Sequence, residues 1–147
     1  MRVWGKKSKQ VLDQLDPRLQ RVMNRVLQEV ADISLTEGYR NESRQNYLFE
    51  AGFSKVRFPD GKHNKLPSKA VDFQPYPYPR DEKVLWASLA YIAGAAIQIA
   101  KQEGVKLRWG GDWNRNGQVS DESFHDLFHL ELDEPSGLPA QEFRLRD

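Results

Sequence analysis

Ser68-Lys69-Ala70-Val71-Asp72-Phe73-Gln74-Pro75-Tyr76-Pro77-Tyr78-Pro79 is the stretch that decides the fold. Ala70 to Phe73 make a short apolar run. The prolines after it lack a backbone N–H and push their predecessors towards extended backbone. The run can therefore be a strand but not a helix. Towards the N-terminus the pattern is mainly helical. Asp16 and Pro17 suit a helix cap and first turn, and Leu19, Val22, Met23, Val26, Leu27 and Val30 recur on one helical face. Ile33 and Leu35 alternate with polar neighbours in a short strand that ends at Gly38. Asn41 caps a second helix that reaches Ala51 and stops at Gly52. Residues 52–69 read as loop, with a turn at Pro59-Asp60-Gly61.

Towards the C-terminus, a long Ala- and Ile-rich helix runs from about Asp81 to Glu103 and closes at Gly104. Val105 to Trp109 is a strand, Gly110 to Phe124 a polar loop, and His129 to Leu132 a last, alternating strand. Helices first and scattered short strands afterwards predict an α+β fold, a small antiparallel sheet with flanking helices. A length of 147 residues without repeat or linker favours one domain, 1–147, with a peripheral tail over about 135–147.

Composition narrows the function. Lys plus Arg number 22 against 21 Asp plus Glu, a net charge of +1, which argues against holding nucleic acid or acidic lipid by bulk charge. Mean hydropathy is −0.74, yet 11% aromatic residues lift the chain well clear of disorder. The absence of cysteine excludes disulfides, thiol nucleophiles and thiolate zinc sites, so a bound metal must take nitrogen and oxygen ligands. No stretch is read as apolar over the roughly 20 residues of a membrane span. Met1 to Lys7 carries no apolar signal region, so synthesis and folding in a cytoplasm are expected.

Four clusters carry chemistry. His63 lies in a Gly-Lys-His-Asn loop, Asp72 ends an apolar run and His129 opens one. Two His and one Asp from neighbouring strand edges would suit catalytic zinc, which keeps a fourth position for water. Spacing alone favours an unrelated surface His and strand-end Asp. Asp126, three residues before His129, is either a general base or a solvated turn residue. His125 beside it reads as a supporting group, a transition-state donor or an exposed side chain. Asp112-Trp113-Asn114-Arg115-Asn116-Gly117 matches the first half of an EF-hand calcium loop. The twelfth position is Ser123 instead of Glu, while Asp121 and Glu122 are close enough to complete a shell; an ion-free turn is the alternative. Lastly, Glu37-Gly38-Tyr39-Arg40 leads from a strand into a helix with Arg44 and Gln45, and Arg suits bidentate carboxylate binding.

In order, strand–Gly-Tyr-Arg–helix, His-Asn-x-x-Pro-Ser-x-Ala-Val-Asp, Trp-Gly-Gly-Asp-Trp and Asp-x-x-His-x-Glu-Leu resemble the zinc peptidases of peptidoglycan over about residues 5 to 133. That family holds D-alanyl-D-alanine carboxypeptidases and phage L-alanyl-D-glutamate endopeptidases. The single-domain character, with no separate wall-binding domain, is most similar to the phage endolysins. The resemblance implies zinc on His63, Asp72 and His129, Asp126 as general base, Arg40 as a catalytic substrate or transition-state contact, and Gln45 and Ser68 at the substrate with it. It also implies calcium on the loop carrying Asp112, Asn114, Asn116, Asp121 and Glu122. The implied substrate is the peptidoglycan stem peptide, cleaved between L-Ala and D-Glu by a monomer released to the wall with the help of a holin. Phe128 stands where the family often has Pro and Leu130 where it often has an aromatic, which bears on substrate preference. A D,D-carboxypeptidase and a non-catalytic calcium- or wall-binding module are the competing readings. Trp109, Trp113 and Phe128 either pack or contact the peptide.

Overall fold

The computed structural model describes residues 1–134; the expectation of a peripheral tail at 135–147 falls outside them. The order is α1 (Lys6–Leu12), α2 (Pro17–Glu29), β1 (Ile33–Glu37), α3 (Glu42–Glu50), a 3-10 turn (Lys62–Asn64), β2 (Ala70–Pro75), α4 (Glu82–Gln102), β3 (Leu107–Gly110) and β4 (Asp126–Leu132). The four strands form one antiparallel sheet in the order β1-β2-β4-β3. This is the expected α+β architecture.

Caps sit where the sequence puts them. The Asp16 carboxylate accepts from the Arg18 N–H at 2.9 Å with Pro17 opening α2, the Asn41 side chain accepts from Arg44 N, and Asp81 accepts from Lys83 N and Val84 N. The apolar stripe of α2 packs with α4 against one face of the sheet. Leu19, Val22, Val26, Leu89, Ala93 and Ala96 are fully buried there against Val71, Phe73 and Leu130. Strand side chains alternate between faces. Asp72, Arg108, His129 and Glu131 therefore point to the opposite face, beneath the loops that carry His63 and Trp113.

One helix carries no sequence signal, and two expectations need correction. α1 has no strong periodic signal, because five of its seven residues are polar; it is held by burial of Val11 and Leu12 and by Ser8 Oγ, which accepts from Leu35 N at 3.0 Å. β4 begins at Asp126, three residues earlier than expected, because Gly110 pairs with Asp126 across a register shift. A Cβ on Gly110 would sit 2.1 Å from the Asp126 carbonyl oxygen, and one on Gly111 2.5 Å from the Trp109 ring, so the Gly-Gly pair is what allows this approach. Finally, α4 has the length and mean hydropathy (1.4) of a membrane span. Its apolarity serves the core, where Leu85, Leu89, Ile92, Ala96 and Ile99 are buried.

Candidate active site

The Gly-Lys-His-Asn loop is a 3-10 turn fastened on three sides. Asn64 Oδ1 accepts from Gly61 N at 2.8 Å, the His63 carbonyl accepts from Arg40 N at 2.8 Å, and the buried Lys62 ammonium donates to the carbonyls of Leu132 (2.6 Å) and Glu134 (2.9 Å). These bonds set His63 over the sheet. Cross-strand pairing puts Asp72 directly opposite His129. His63, Asp72 and His129 thus converge, each offering one ligand atom, all within 4.8 Å of one another.

The far side of each ring is pinned. His63 Nδ1 donates to the Gly38 carbonyl at 2.6 Å, leaving its Nε2 lone pair 3.2 Å from Asp72 Oδ1. His129 Nε2 donates to Glu131 Oε1 at 2.7 Å, leaving Nδ1 3.4 Å from Asp72 Oδ1. Glu131 is in turn held by Arg108, Nη2 to Oε2 at 2.8 Å, both side chains being buried. Asp72 Oδ2 accepts from Arg40 Nη2 at 2.9 Å, whereas Asp72 Oδ1 is buried with no hydrogen-bond partner. Two inward lone pairs and an orphaned carboxylate oxygen fit a cation with nitrogen and oxygen ligands. Burial pushes the His63 imidazole below its ordinary value, against the pull of Asp72. Burial also opposes the charge on Asp72, but the two imidazoles outweigh it and hold that carboxyl well below the usual range. At His129 burial lowers the pKa, and the nearby carboxylates of Asp72 and Glu131 more than reverse it, so the metal-free ring is raised.

Asp126 lines the small cavity that holds His63, His129 and Trp113, and also a cleft of about 500 Å³ above it, walled by Glu37, Arg40, Arg44, Asp72 and Phe128. Burial, with Asp72 nearby, pushes its carboxyl up against the pull of His129. A carboxylate with a raised pKa in a cleft suits proton transfer.

Other expected residues turn inward. Arg40 is spent on Glu37 (2.8 Å) and Asp72, so it first positions the Asp72 carboxylate. Gln45 is buried, donating to Ser54 Oγ at 2.8 Å and Val56 O at 2.6 Å, and so fixes the loop beside the His63 turn. Ser68, expected at the substrate, is fully buried and donates to Ala70 O at 2.7 Å. Trp113 packs on His129, 5.4 Å between ring centres, and its Nε1 donates to Phe124 O at 2.8 Å; Trp109 Nε1 donates to Leu127 O at 2.8 Å. Both tryptophans therefore pack, while Phe128 lines the cleft. His125 is exposed and bonds the Val119 carbonyl at 2.6 Å. Glu131 and Arg108 went unread in the sequence. Their signal was position: Glu131 lies two residues from His129 on the same strand face, and Arg108 pairs opposite it.

The loop at 112–122 brings its five expected residues together but lets them satisfy one another. Asp112 accepts from the N–H groups of Asn116 (3.2 Å) and Gly117 (2.8 Å), and the Asn114 and Asn116 amides donate to Asp121 Oδ2. Glu122 Oε1 accepts from Asn114 N at 3.3 Å, while its Oε2 is buried without a partner.

Comparison with known proteins agrees with this geometry. The sequence profile described as phage L-alanyl-D-glutamate peptidase matches residues 2–133. The chain is 31% identical over 137 residues to the L-alanyl-D-glutamate peptidase of Escherichia phage T5, covering 88% of this chain and 96% of that one. Its fold is similar to that of the Serratia marcescens L-Ala D-Glu endopeptidase ChiX, with TM-score 0.68, 27% identity and 86% of each chain covered.

Proposed function

This chain belongs to the phage L-alanyl-D-glutamate peptidase family, and on that premise we propose that it is a zinc-dependent endolysin that hydrolyses the L-Ala–D-Glu amide of the peptidoglycan stem peptide. The observation that supports the metal is the buried, unpartnered Asp72 Oδ1 facing the lone pairs of His63 Nε2 and His129 Nδ1. Zinc held there would supply Lewis-acid polarisation of a carbonyl and acidify a water. The chain's own residues do the rest. Asp126, raised by burial, accepts the proton of the attacking water and returns it to the leaving amine of D-Glu. Arg40 keeps Asp72 in its ligand orientation, and its place on the cleft wall lets it offset charge growing on the scissile carbonyl oxygen. Glu131 and Arg108 fix the His129 tautomer.

The same reading places calcium on the loop of Asp112, Asn114, Asn116, Asp121 and Glu122, supported by the buried free oxygen of Glu122. Because the peptide lies outside the host membrane, release by a holin belongs to it as well.

Mass spectrometry of digested peptidoglycan, together with metal content, tests the proposal. New D-Glu amino termini and one zinc per chain are expected. Release of free D-Ala alone would instead make the enzyme a D,D-carboxypeptidase. Unchanged wall from zinc-replete protein would leave only a binding module.

A further inference from the structure

Two cavities meet at the general base, and they differ in chemistry. The cleft of about 500 Å³ has Arg40 and Arg44 on one wall, both paired with Glu37. Arg44 is half exposed there, and its Nε donates to Glu37 Oε2 at 2.9 Å. Neither of its Nη groups has a protein acceptor among the described residues. The second cavity, about 560 Å³, shares His125, Asp126 and Phe128 with the first and is otherwise walled by Trp86, Ala90, Trp109, Val119 and Leu127. Trp86 on α4 is 49% exposed and Val119 47%, an unusual amount of apolar surface to leave beside a reaction centre.

The substrate in the proposed reading is asymmetric in the same way. A glutamyl residue carries two carboxyl groups and continues the chain through one, so the amine side of the scissile bond bears a free carboxylate. On the acyl side, alanine offers a methyl group and is joined to an N-acetylated sugar, whose C–H faces stack on indole. Asp126 stands between the cavities, so the scissile amide lies between the two halves.

We propose that these cavities fix the direction of the stem peptide: Arg44 takes the D-glutamate carboxylate, and the Trp86–Phe128 pocket takes the alanyl side with its sugar. The inference rests on the L-Ala–D-Glu reading. Arg44 is the residue for the carboxylate because Arg40 is already committed to Glu37 and Asp72, whereas the Nη groups of Arg44 present an open fork. The pocket lacks a cation, so the carboxylate side gains nothing by lying there.

The test compares kcat/KM for three substrates: a disaccharide stem peptide, the same peptide with acetyl in place of the sugar, and the disaccharide peptide with its glutamyl carboxylate amidated. Wild-type enzyme should favour the first over the second about tenfold, and Trp86→Ala should collapse that ratio towards one. Arg44→Gln should lower kcat/KM on the first substrate by about 10- to 100-fold, the range of a lost charge-assisted bond. On the amidated substrate its loss should be under threefold, and Arg44→Lys should recover part of the loss on the first. Equal effects of Trp86→Ala on sugar-bearing and sugar-free peptides, or of Arg44→Gln on charged and amidated ones, would overturn the assignment while leaving the endopeptidase reading intact. Failure of the wild-type enzyme to cut any of the three between Ala and Glu would overturn both.

Discussion

The His63–Asp72–His129 centre and the Asp112–Glu122 loop are both candidate cation sites, and they are built in opposite ways. The first draws its residues from a 3-10 turn and two paired strands, buries them and pins the far nitrogen of each imidazole. Its inward atoms, His63 Nε2, His129 Nδ1 and Asp72 Oδ1, face one another at 3.2 to 3.4 Å. The second is contiguous in sequence and mostly exposed, and Asp112, Asn114, Asn116 and Asp121 are bonded to neighbours within the loop. An ion entering the first meets a finished cage, whereas an ion entering the second must displace hydrogen bonds already made. Pre-organisation by tertiary structure therefore predicts a tight site, and a local motif predicts a weak one.

The largest effect should come from His63→Ala, which removes a ligand from the cage: hydrolysis falls to background and mass spectrometry finds less than stoichiometric zinc. Full zinc and full activity in this variant would break the comparison at its root. Asp126→Asn should separate catalysis from binding, lowering kcat by about 10²- to 10⁴-fold with zinc content unchanged. Glu131→Gln tests whether the pinning matters. Loss of the carboxylate behind His129 should weaken zinc by about 10- to 100-fold, read by competition with a chromogenic chelator. A pH series sharpens the same point. His129 in the metal-free protein holds its proton above the ordinary imidazole range, and zinc needs the neutral ring, so loading releases a proton and affinity falls as pH drops through that pKa. Calorimetry in buffers of different ionisation heat reads the released proton directly. The smallest change belongs to the loop. Glu122→Gln should weaken calcium by about tenfold from an already weak Kd of roughly 10⁻⁴ to 10⁻³ M, with zinc untouched. Submicromolar calcium binding by the wild-type protein would remove the contrast.

Legibility followed the same division. Helices α2, α3 and α4 could be read because each has a cap and, in α2, a clear apolar stripe. The short, polar α1 could not, since its stability comes from what it covers. Asp126 looked like a turn residue because nothing local to it announces a strand; its pairing depends on Gly110, sixteen positions earlier. The zinc ligands follow from the family resemblance, and spacing alone leaves them undecided. Arg40, Gln45 and Ser68 were named for substrate, yet burial and hydrogen bonds gave Gln45 and Ser68 supporting roles and made Arg40 an anchor of Asp72 first.

What the sequence by itself determined is whatever follows from neighbours along the chain: helix caps, the strand before the prolines, the Asx-rich loop and a nitrogen–oxygen ligand set imposed by the absence of cysteine. Only the tertiary structure decided that Asp72 faces His129, that Glu131 and Arg108 stand behind it, and that Arg44 and Trp86 open on opposite sides of Asp126. The physical reason is that strand register and loop packing join residues tens of positions apart. A side chain's role there depends on which partners burial leaves it, and that is a property of the assembled core.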